Sequence, residues 1–280
     1  MVITRRTIAL LVILLAWGPG GAGGQETPVL FPDRSLMPTL LAGSRDPATS
    51  ATLYYVGPNP NAHGRGVELE VSIGTTLPIL LLAGKAGGHQ VVSGIEAVAF
   101  ARFGLQVLER ELIASDWVFA IPVVWHRRRG WVRFRYYHTS SHMGDEYARR
   151  FGDPGMNFSK DAAEIMSFQS LSAGLGFYGG ARYSYNVHPE ESKRWVLRAG
   201  GQFEARERGG RFRPFLATDM EWDQDAGGSR LEVKAGSWLP RVGGRRALSI
   251  ALVYLTGPSP LGQFNGLTTT QVGLTLRGTL

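Results

Sequence analysis

Long segments in which apolar and polar residues alternate constrain the fold of this chain more than any other feature. Successive side chains of a β-strand point to opposite faces. Residues 131–146 read WVRFRYYHTSSHMGDE, and alternation divides most of them into one face of Val132, Phe134, Tyr136, His138 and Ser140 and another of Trp131, Arg133, Arg135, Tyr137 and Thr139. A soluble protein would bury the apolar face. A membrane barrel would turn that face to lipid and its arginines into a wet lumen.

The remainder of the chain favours the membrane barrel. Most of its alternating segments are long enough to cross a bilayer, which takes about 9–11 tilted residues. Short turns alternate with longer loops, as in outer-membrane proteins. The sequence therefore predicts an all-β, transmembrane, antiparallel up-and-down β-barrel of about 12 strands, and a soluble two-sheet β protein is the alternative. The predicted strands are 48–56, 66–83, 91–104, 113–126, 131–140, 164–172, 177–187, 195–206, 211–222, 230–239, 246–256 and 269–280.

The N-terminal part of the chain has the features of an export signal. Arg5 and Arg6 precede the apolar run 8–17, and small residues follow it. This order predicts a signal peptide over residues 1–24 that is cleaved on export, and hence a protein of the cell outer membrane. Four prolines between residues 25 and 47 disfavour a long helix, so we expect this stretch to be a periplasmic N-terminal segment that precedes a barrel of residues 48–280.

The composition excludes several classes of function. The chain has no cysteine, which excludes a disulfide scaffold, a thiolate zinc site and a cysteine nucleophile. Its net charge of +7 comes from arginines that alternate with apolar residues along strands. This distribution does not indicate nucleic-acid binding, and attraction to anionic lipid headgroups explains the charge better. The expected partners are outer-membrane lipids.

The chemistry-bearing residues lie at the end of the fifth predicted strand, below the longest loop. His138 and Ser140 share the apolar face, which a barrel turns toward lipid. A serine nucleophile needs a base within hydrogen-bond reach, and the base needs an orienting group. We therefore predict Ser140 as nucleophile, His138 as general base and Glu164 as orienting residue, with Asn157 and Asp116 as further candidates for the last role.

The loop that follows offers groups for binding substrate, namely Ser141, His142, Asp145 and Glu146. With His138, the last three could instead hold a divalent metal, although their spacing matches no standard site, or they could be solvated residues at a loop mouth. No metal or cofactor is predicted, and calcium is left open. The alternative to an enzyme is a non-enzymatic barrel, either structural or a narrow pore, with a lumen lined by Arg133, Arg135, Arg198 and Arg213.

Two resemblances add to this interpretation. The pattern His138-Thr-Ser140 on a lipid-facing strand resembles the His-x-Ser active strand of outer membrane phospholipase A and of lipid A deacylase. This implies hydrolysis of phospholipid or lipopolysaccharide acyl esters, with an orienting Asn or Glu from a neighbouring strand. The stretches LFPDRSLMPTLLAGSRDP, YYHTSSHMGDEY, FYGGARYSY and SPLGQF resemble domain-of-unknown-function family 1207 of Gram-negative envelope proteins. That family implies an outer-membrane barrel and supplies no established activity.

Overall fold

The computed structural model describes residues 28–57, 66–83, 90–106, 110–206, 212–240 and 248–278. The predicted signal peptide, residues 1–24, lies outside these described residues. The strands are β1 (Val29–Leu30), β2 (Thr49–Val56), β3 (Gly66–Ala83), β4 (Gln90–Gly104), β5 (Leu112–Arg127), β6 (Gly130–Met143), β7 (Phe158–Ser172), β8 (Leu175–His188), β9 (Trp195–Glu204), β10 (Arg213–Asp223), β11 (Gly228–Trp238), β12 (Leu248–Pro258) and β13 (Thr268–Gly278).

Strands β2 to β13 form a closed barrel. Each pairs antiparallel with its neighbours in sequence, and β13 pairs with β2 to close the ring, for example at Gly278 and Thr49. This confirms the predicted fold of 12 antiparallel strands. Strand β1 is a short addition that pairs with the part of β3 extending beyond β2. Among the described residues, no helix is both long enough and apolar enough to cross a bilayer.

The two ends of the barrel differ in the length of their connections. The long-loop end carries the connection 144–157, which contains helix α1 (Asp145–Phe151), and the connection 259–267, which contains a 3₁₀ turn at Gly262–Phe264. The opposite, short-turn end has two-residue connections at 128–129 and 173–174. In outer-membrane barrels the long loops face the outside of the cell.

The barrel turns apolar side chains outward and charged side chains inward. Trp117, Phe134 and Leu252 are 55%, 60% and 62% exposed, whereas Arg102 and Glu96 are 0% and 1% exposed. An apolar exterior of this extent is stable only in contact with lipid, because in water it would be one large exposed hydrophobic patch. The predicted sidedness is therefore confirmed, and the alternative of a soluble two-sheet protein is wrong.

The sequence predicts that residues 25–47 form a periplasmic segment. The prediction is wrong for the second half of this stretch, which lies inside the barrel. Met37 and Leu40 are buried against apolar side chains at the short-turn end of the lumen. Further along, Asp46 pairs with Arg198 at 2.6 Å between Oδ2 and Nη2. We call residues 37–46 the plug. The prolines do prevent a long helix, but the apolar residues between them pack inside the barrel.

A second segment enters the lumen from the long-loop end. In the connection between β12 and β13, residues 259–264 are all buried, and we call them the inner loop. Gln263 holds it in place, because its Nε2 donates hydrogen bonds to the carbonyl oxygens of Ser141, at 2.7 Å, and Met156, at 2.8 Å. The backbone N–H of Gly262 donates to Asp116, whose carboxylate also accepts from the Ser141 hydroxyl.

The plug and the inner loop meet inside the barrel. Arg45 Nε of the plug donates a hydrogen bond of 2.9 Å to the carbonyl oxygen of Pro260 in the inner loop. The same guanidinium pairs with Glu70 of the barrel wall at 3.1 Å. Two inserted segments in contact, surrounded by ion pairs, occlude the lumen.

Candidate active site on the lipid-facing surface

Strand β6 turns His138 and Ser140 outward. Their neighbours Tyr137 and Ser141 are 5% and 2% exposed and face the lumen, whereas the His138 side chain is 38% exposed. The alternation of β6 therefore persists through the polar end of the strand. Both side chains belong to the surface that lipid would cover, in the half of the strand nearer the long-loop end.

The structure pairs His138 with Asp161 of the neighbouring strand. The two residues are directly opposite in the β6–β7 register, and His138 Nδ1 lies 2.6 Å from Asp161 Oδ1. Tyr136 Oη donates to the same oxygen at 3.0 Å, and Asn186 Nδ2 donates to Oδ2 at 2.8 Å. A carboxylate can only accept, so the proton of this bond belongs to Nδ1. In the neutral ring Nε2 then carries the lone pair that a general base requires.

The prediction that Glu164 orients His138 is wrong. Glu164 is buried in the lumen, where its carboxylate accepts from Arg135 Nη2 at 2.9 Å and Arg133 Nη2 at 3.3 Å. It lies three residues after Asp161 on β7, and an odd spacing along a strand places two side chains on opposite faces. Asp116, the other carboxylate considered, also faces the lumen, where Ser141 and the inner loop contact it.

Ser140 is close to His138 along the strand but does not contact its ring. Within the described part of the chain, no hydrogen bond joins Ser140 Oγ to either ring nitrogen. Ser140 lies opposite Trp117 of β5 and Ser159 of β7 in the two strand registers. The nucleophile-to-base contact of a serine hydrolase would therefore form by side-chain rotation, and such bonds are often long in enzymes without substrate.

The four predicted substrate-binding residues do not form one site. Ser141 points into the lumen and holds the inner loop, so it lies on the wrong side of the wall. His142 is exposed on the outward face, beyond Ser140. Asp145 and Glu146 are exposed in the first turn of α1. The described residues contain no group of three or more His, Asp or Glu side chains able to hold a metal ion.

Sequence reasoning missed Asp161, Tyr136 and Asn186 as parts of the site. The predicted sixth strand begins at residue 164, which leaves the polar residues Ser159, Lys160 and Asp161 outside it. Strand β7 in fact begins at Phe158. The alternation along the strand could have identified Asp161. It lies two residues before Ala163 and four before Ile165, so it shares their outward face of the strand.

Comparison with known proteins agrees with this architecture. Residues 26–277 match the model of a protein family described as "Protein of unknown function (DUF1207)". The chain belongs to this family. No curated protein matches the sequence.

Among solved structures, this family member is similar to outer membrane phospholipase A. The Escherichia coli enzyme has a TM-score of 0.58 at 11% identity, over 88% of this chain and 96% of the enzyme. A form of it with an active-site asparagine replaced by alanine has the same TM-score of 0.58 at 12% identity, over 88% and 96% of the two chains. The Salmonella typhi enzyme, a dimer with bound calcium, gives 0.56 at 12% identity, over 83% and 91%. At these identities the likeness shows a shared barrel fold.

Proposed function

We propose that this barrel is a lipid acyl-ester hydrolase that acts on phospholipid or lipopolysaccharide from its outer surface. The observation that carries the proposal is the 2.6 Å contact between His138 Nδ1 and Asp161 Oδ1 on the lipid-facing wall. Placing a partly exposed carboxylate and imidazole against hydrocarbon is costly. A hydrogen-bonded carboxylate and imidazole on this face, two residues from a serine, are best explained by chemistry.

Asp161, His138 and Ser140 each have a separate role in acyl transfer. Asp161 fixes the His138 ring and stabilises the imidazolium that forms. His138 Nε2 takes the proton of the Ser140 hydroxyl as Oγ attacks the ester carbonyl, and then gives that proton to the departing alcohol. Water, activated by the same nitrogen, cleaves the acyl-serine to a free fatty acid. Ser159 lies opposite Ser140 and His142 is on the same face, and we expect them to donate hydrogen bonds to the oxyanion.

The surroundings of the pair favour a lipid over a soluble ester. Trp117 and Phe119 lie opposite Ser140 and His138 on β5, and are 55% and 41% exposed. Together they form an apolar surface that is continuous with the apolar outer surface of the barrel. An acyl chain in the outer leaflet can lie along this surface with its ester at the height of Ser140, so the substrate does not have to leave the membrane.

Likeness to outer membrane phospholipase A supports the same function. That enzyme is a phospholipase with an asparagine in its active site, on a barrel of similar architecture. Asp161 offers His138 the same kind of acceptor that an asparagine carbonyl would offer, with an added negative charge. The Salmonella typhi enzyme is a dimer with bound calcium, which makes calcium a variable for the assay.

Fatty-acid release from mixed micelles tests the proposal directly. The purified barrel is incubated with phospholipid and, separately, with lipid A, each with and without calcium. We expect release by the unaltered protein and a loss on the order of a thousandfold or more in Ser140→Ala and in His138→Ala. A fluorophosphonate probe should label the unaltered protein and not Ser140→Ala.

A matched control is Ser167→Ala, since Ser167 lies on the same face of β7 as Asp161 but near the short-turn end. It should retain full activity and labelling. Hydrolysis that survives in both the Ser140 and His138 variants would overturn the proposal. Absence of hydrolysis and labelling under every condition would favour a non-enzymatic structural barrel.

The pore alternative has less support than the structural one. Arg45 of the plug contacts Pro260 of the inner loop, and the arginines expected to line a channel are paired with acids. In the described part of the chain, the contact between the plug and the inner loop disfavours the steady current of a porin.

A further inference from the structure

We propose that the long-loop half of the lumen contains a binding site for a soluble oxyanion of phosphate size, separate from the lipid-facing pair. A cavity of about 70 Å³ lies between the plug, the inner loop and the wall. Its lining includes Arg182, Tyr137, Lys160, Lys193, Arg230 and Pro260. The site does not depend on the esterase proposal, because Arg182 and Tyr137 point to the opposite side of the barrel wall from His138.

Arg182 of β8 is the centre of the argument. Its side chain is 17% exposed, and its nearest carboxylates, those of Glu164 and Glu221, each lie at 3.9 Å. No hydrogen bond from the Arg182 guanidinium exists within the described residues. Arg102, by contrast, is paired with both Glu68 and Glu70 at 3.0 Å each. A guanidinium has five N–H donors, and those of Arg182 are free to bind an acceptor that enters the cavity.

The charges around the cavity favour an anion. Both acids nearest to Arg182 are committed to other cations, since Glu221 pairs with Arg230 at 2.5 Å and Glu164 pairs with Arg135 at 2.9 Å. In the lining as a whole, basic residues outnumber acidic ones. The basic residues are Arg45, Lys160, Arg182, Lys193 and Arg230, and the acidic residues are Asp116, Glu221 and Asp223. Lys160 and Arg45 also pair with Asp225 and Glu70 beyond the lining, at 2.8 Å and 3.1 Å, so Arg182 and Lys193 carry the excess positive charge.

The route into the cavity and the cavity volume limit the class of ligand that can bind there. Lys193 lies in the connection between β8 and β9 and is exposed, so the cavity reaches the long-loop surface. Hydrogen-bonded strands separate the cavity from the bilayer, so the ligand arrives from water and not from the lipid phase. A volume of about 70 Å³ holds roughly five waters at about 10–15 Å³ each. This suits a phosphate or sulfate group better than a whole sugar.

The polar lining matches such a ligand. The Tyr137 ring lies against the Arg182 guanidinium, with 4.9 Å between the ring centroid and Cζ. This contact holds the guanidinium in one orientation. Thr139 and Ser184 add hydroxyl donors to the lining. A planar guanidinium held in this way can give two parallel hydrogen bonds to an oxyanion.

Isothermal titration calorimetry of the full-length barrel in detergent with inorganic phosphate tests the site. We expect saturable binding, and at least tenfold weaker binding in Arg182→Gln, since hydrogen bonds to charged groups are the strong ones. The matched control is Arg213→Gln, because Arg213 is a luminal arginine at the short-turn end, paired with Glu204 at 3.4 Å. It should bind phosphate as the unaltered protein does.

A surface variant keeps the test decisive if Arg182→Gln fails to fold. Lys193→Gln alters an exposed side chain and should weaken phosphate binding severalfold while the barrel stays folded by circular dichroism. Absence of phosphate binding by the unaltered protein would overturn the proposal. So would equal affinity in the Arg182 and Arg213 variants, or, where Arg182→Gln does not fold, unchanged affinity in Lys193→Gln.

Discussion

On β7, the face on which a carboxylate lies decides what that carboxylate can do. Asp161 points outward and accepts hydrogen bonds from His138, Tyr136 and Asn186. Glu164 points inward and is surrounded by arginines. Both residues are acids on one strand, three positions apart, yet only the first can orient a lipid-facing imidazole.

This difference predicts how substitutions at Asp161 affect activity. Asp161→Asn keeps an oxygen that can accept from His138 Nδ1, and its new N–H₂ can face Asn186 once that amide rotates to present its own oxygen. We expect it to lose about tenfold in fatty-acid release, whereas Asp161→Ala loses the acceptor entirely and about a hundredfold or more. The measurement is initial rate on phospholipid micelles per folded protein.

The control for that series is Glu164→Gln. It removes a buried partner of Arg135, so it should lower the free energy of unfolding by about 3–5 kcal/mol. It should leave the rate per folded molecule unchanged, because the residue lies on the other side of the wall. A larger loss of rate in Glu164→Gln than in Asp161→Ala would restore the original assignment.

At the scale of elements, alternation predicted where strands lie but not where polar strands begin. Eleven of the 12 barrel strands start within two residues of the prediction, and β7 starts six residues early, at Phe158 instead of 164. Its first residues carry charges that pair in the folded state, as Lys160 does with Asp225 at 2.8 Å. A single sequence cannot show such a partner, which lies 65 positions away.

The inner loop is an element that we expect to control access to the lumen. The Gln263 side chain makes three hydrogen bonds, donating to the Ser141 and Met156 carbonyls and accepting from the Met156 N–H at 2.8 Å. Gln263→Ala removes all three. We expect the unaltered barrel to be silent in planar bilayers and this variant to show intermittent conductance.

Gln169→Ala provides the comparison for those recordings. Gln169 is also a glutamine with two hydrogen bonds, but it is exposed at the short-turn end, away from the inner loop. Its variant should be as silent as the unaltered protein. Steady conductance by the unaltered barrel would contradict the occluded lumen.

Acid should destabilise the connections at the long-loop end, because it protonates Asp225. Burial alone would raise the pKa of Asp225, but hydrogen bonds from the Lys160 ammonium and the Lys193 backbone N–H outweigh it and hold the pKa below its ordinary value. The folded-state pKa is lowered, so the contribution to stability is present above about pH 3.9 and is lost as pH falls through the folded value.

Hydrogen exchange of the segment 189–194 measures this effect. Its protection factor, corrected for intrinsic rates, should fall roughly two- to fivefold between pH 6 and pH 3, a modest change because the pair is partly exposed. Asp225→Asn should show the low value at both pH values. A pH-dependent protection that persists in Asp225→Asn would assign the titration to another group.

At the scale of the whole molecule, charged side chains lie inside and apolar ones outside, the reverse of a soluble protein, and several stretches singled out in the sequence contribute to that interior. The plug brings Arg45 and Asp46, the FYGGARYSY stretch brings Arg182, and the SPLGQF stretch forms the inner loop. All of them converge in the lumen. Alternation revealed the inward face from sequence, but it could not show that the plug and the inner loop would fill it, because those contacts span most of the chain length.

Sidedness also predicts a depth-dependent cost for charge on the outer face. Leu252 lies near the middle of β12 and is 62% exposed, whereas Leu248 on the same face lies at the short-turn rim and is 43% exposed. Leu252→Arg should destabilise the barrel by about 2–4 kcal/mol, because an arginine at the bilayer midplane loses its hydration, and Leu248→Arg by about 0–1 kcal/mol. Denaturant titration of both variants in phospholipid vesicles gives the two values. Equal and negligible costs would mean that water, not lipid, covers this surface, and the acyl chains that the esterase proposal places beside Ser140 would then have no route to it.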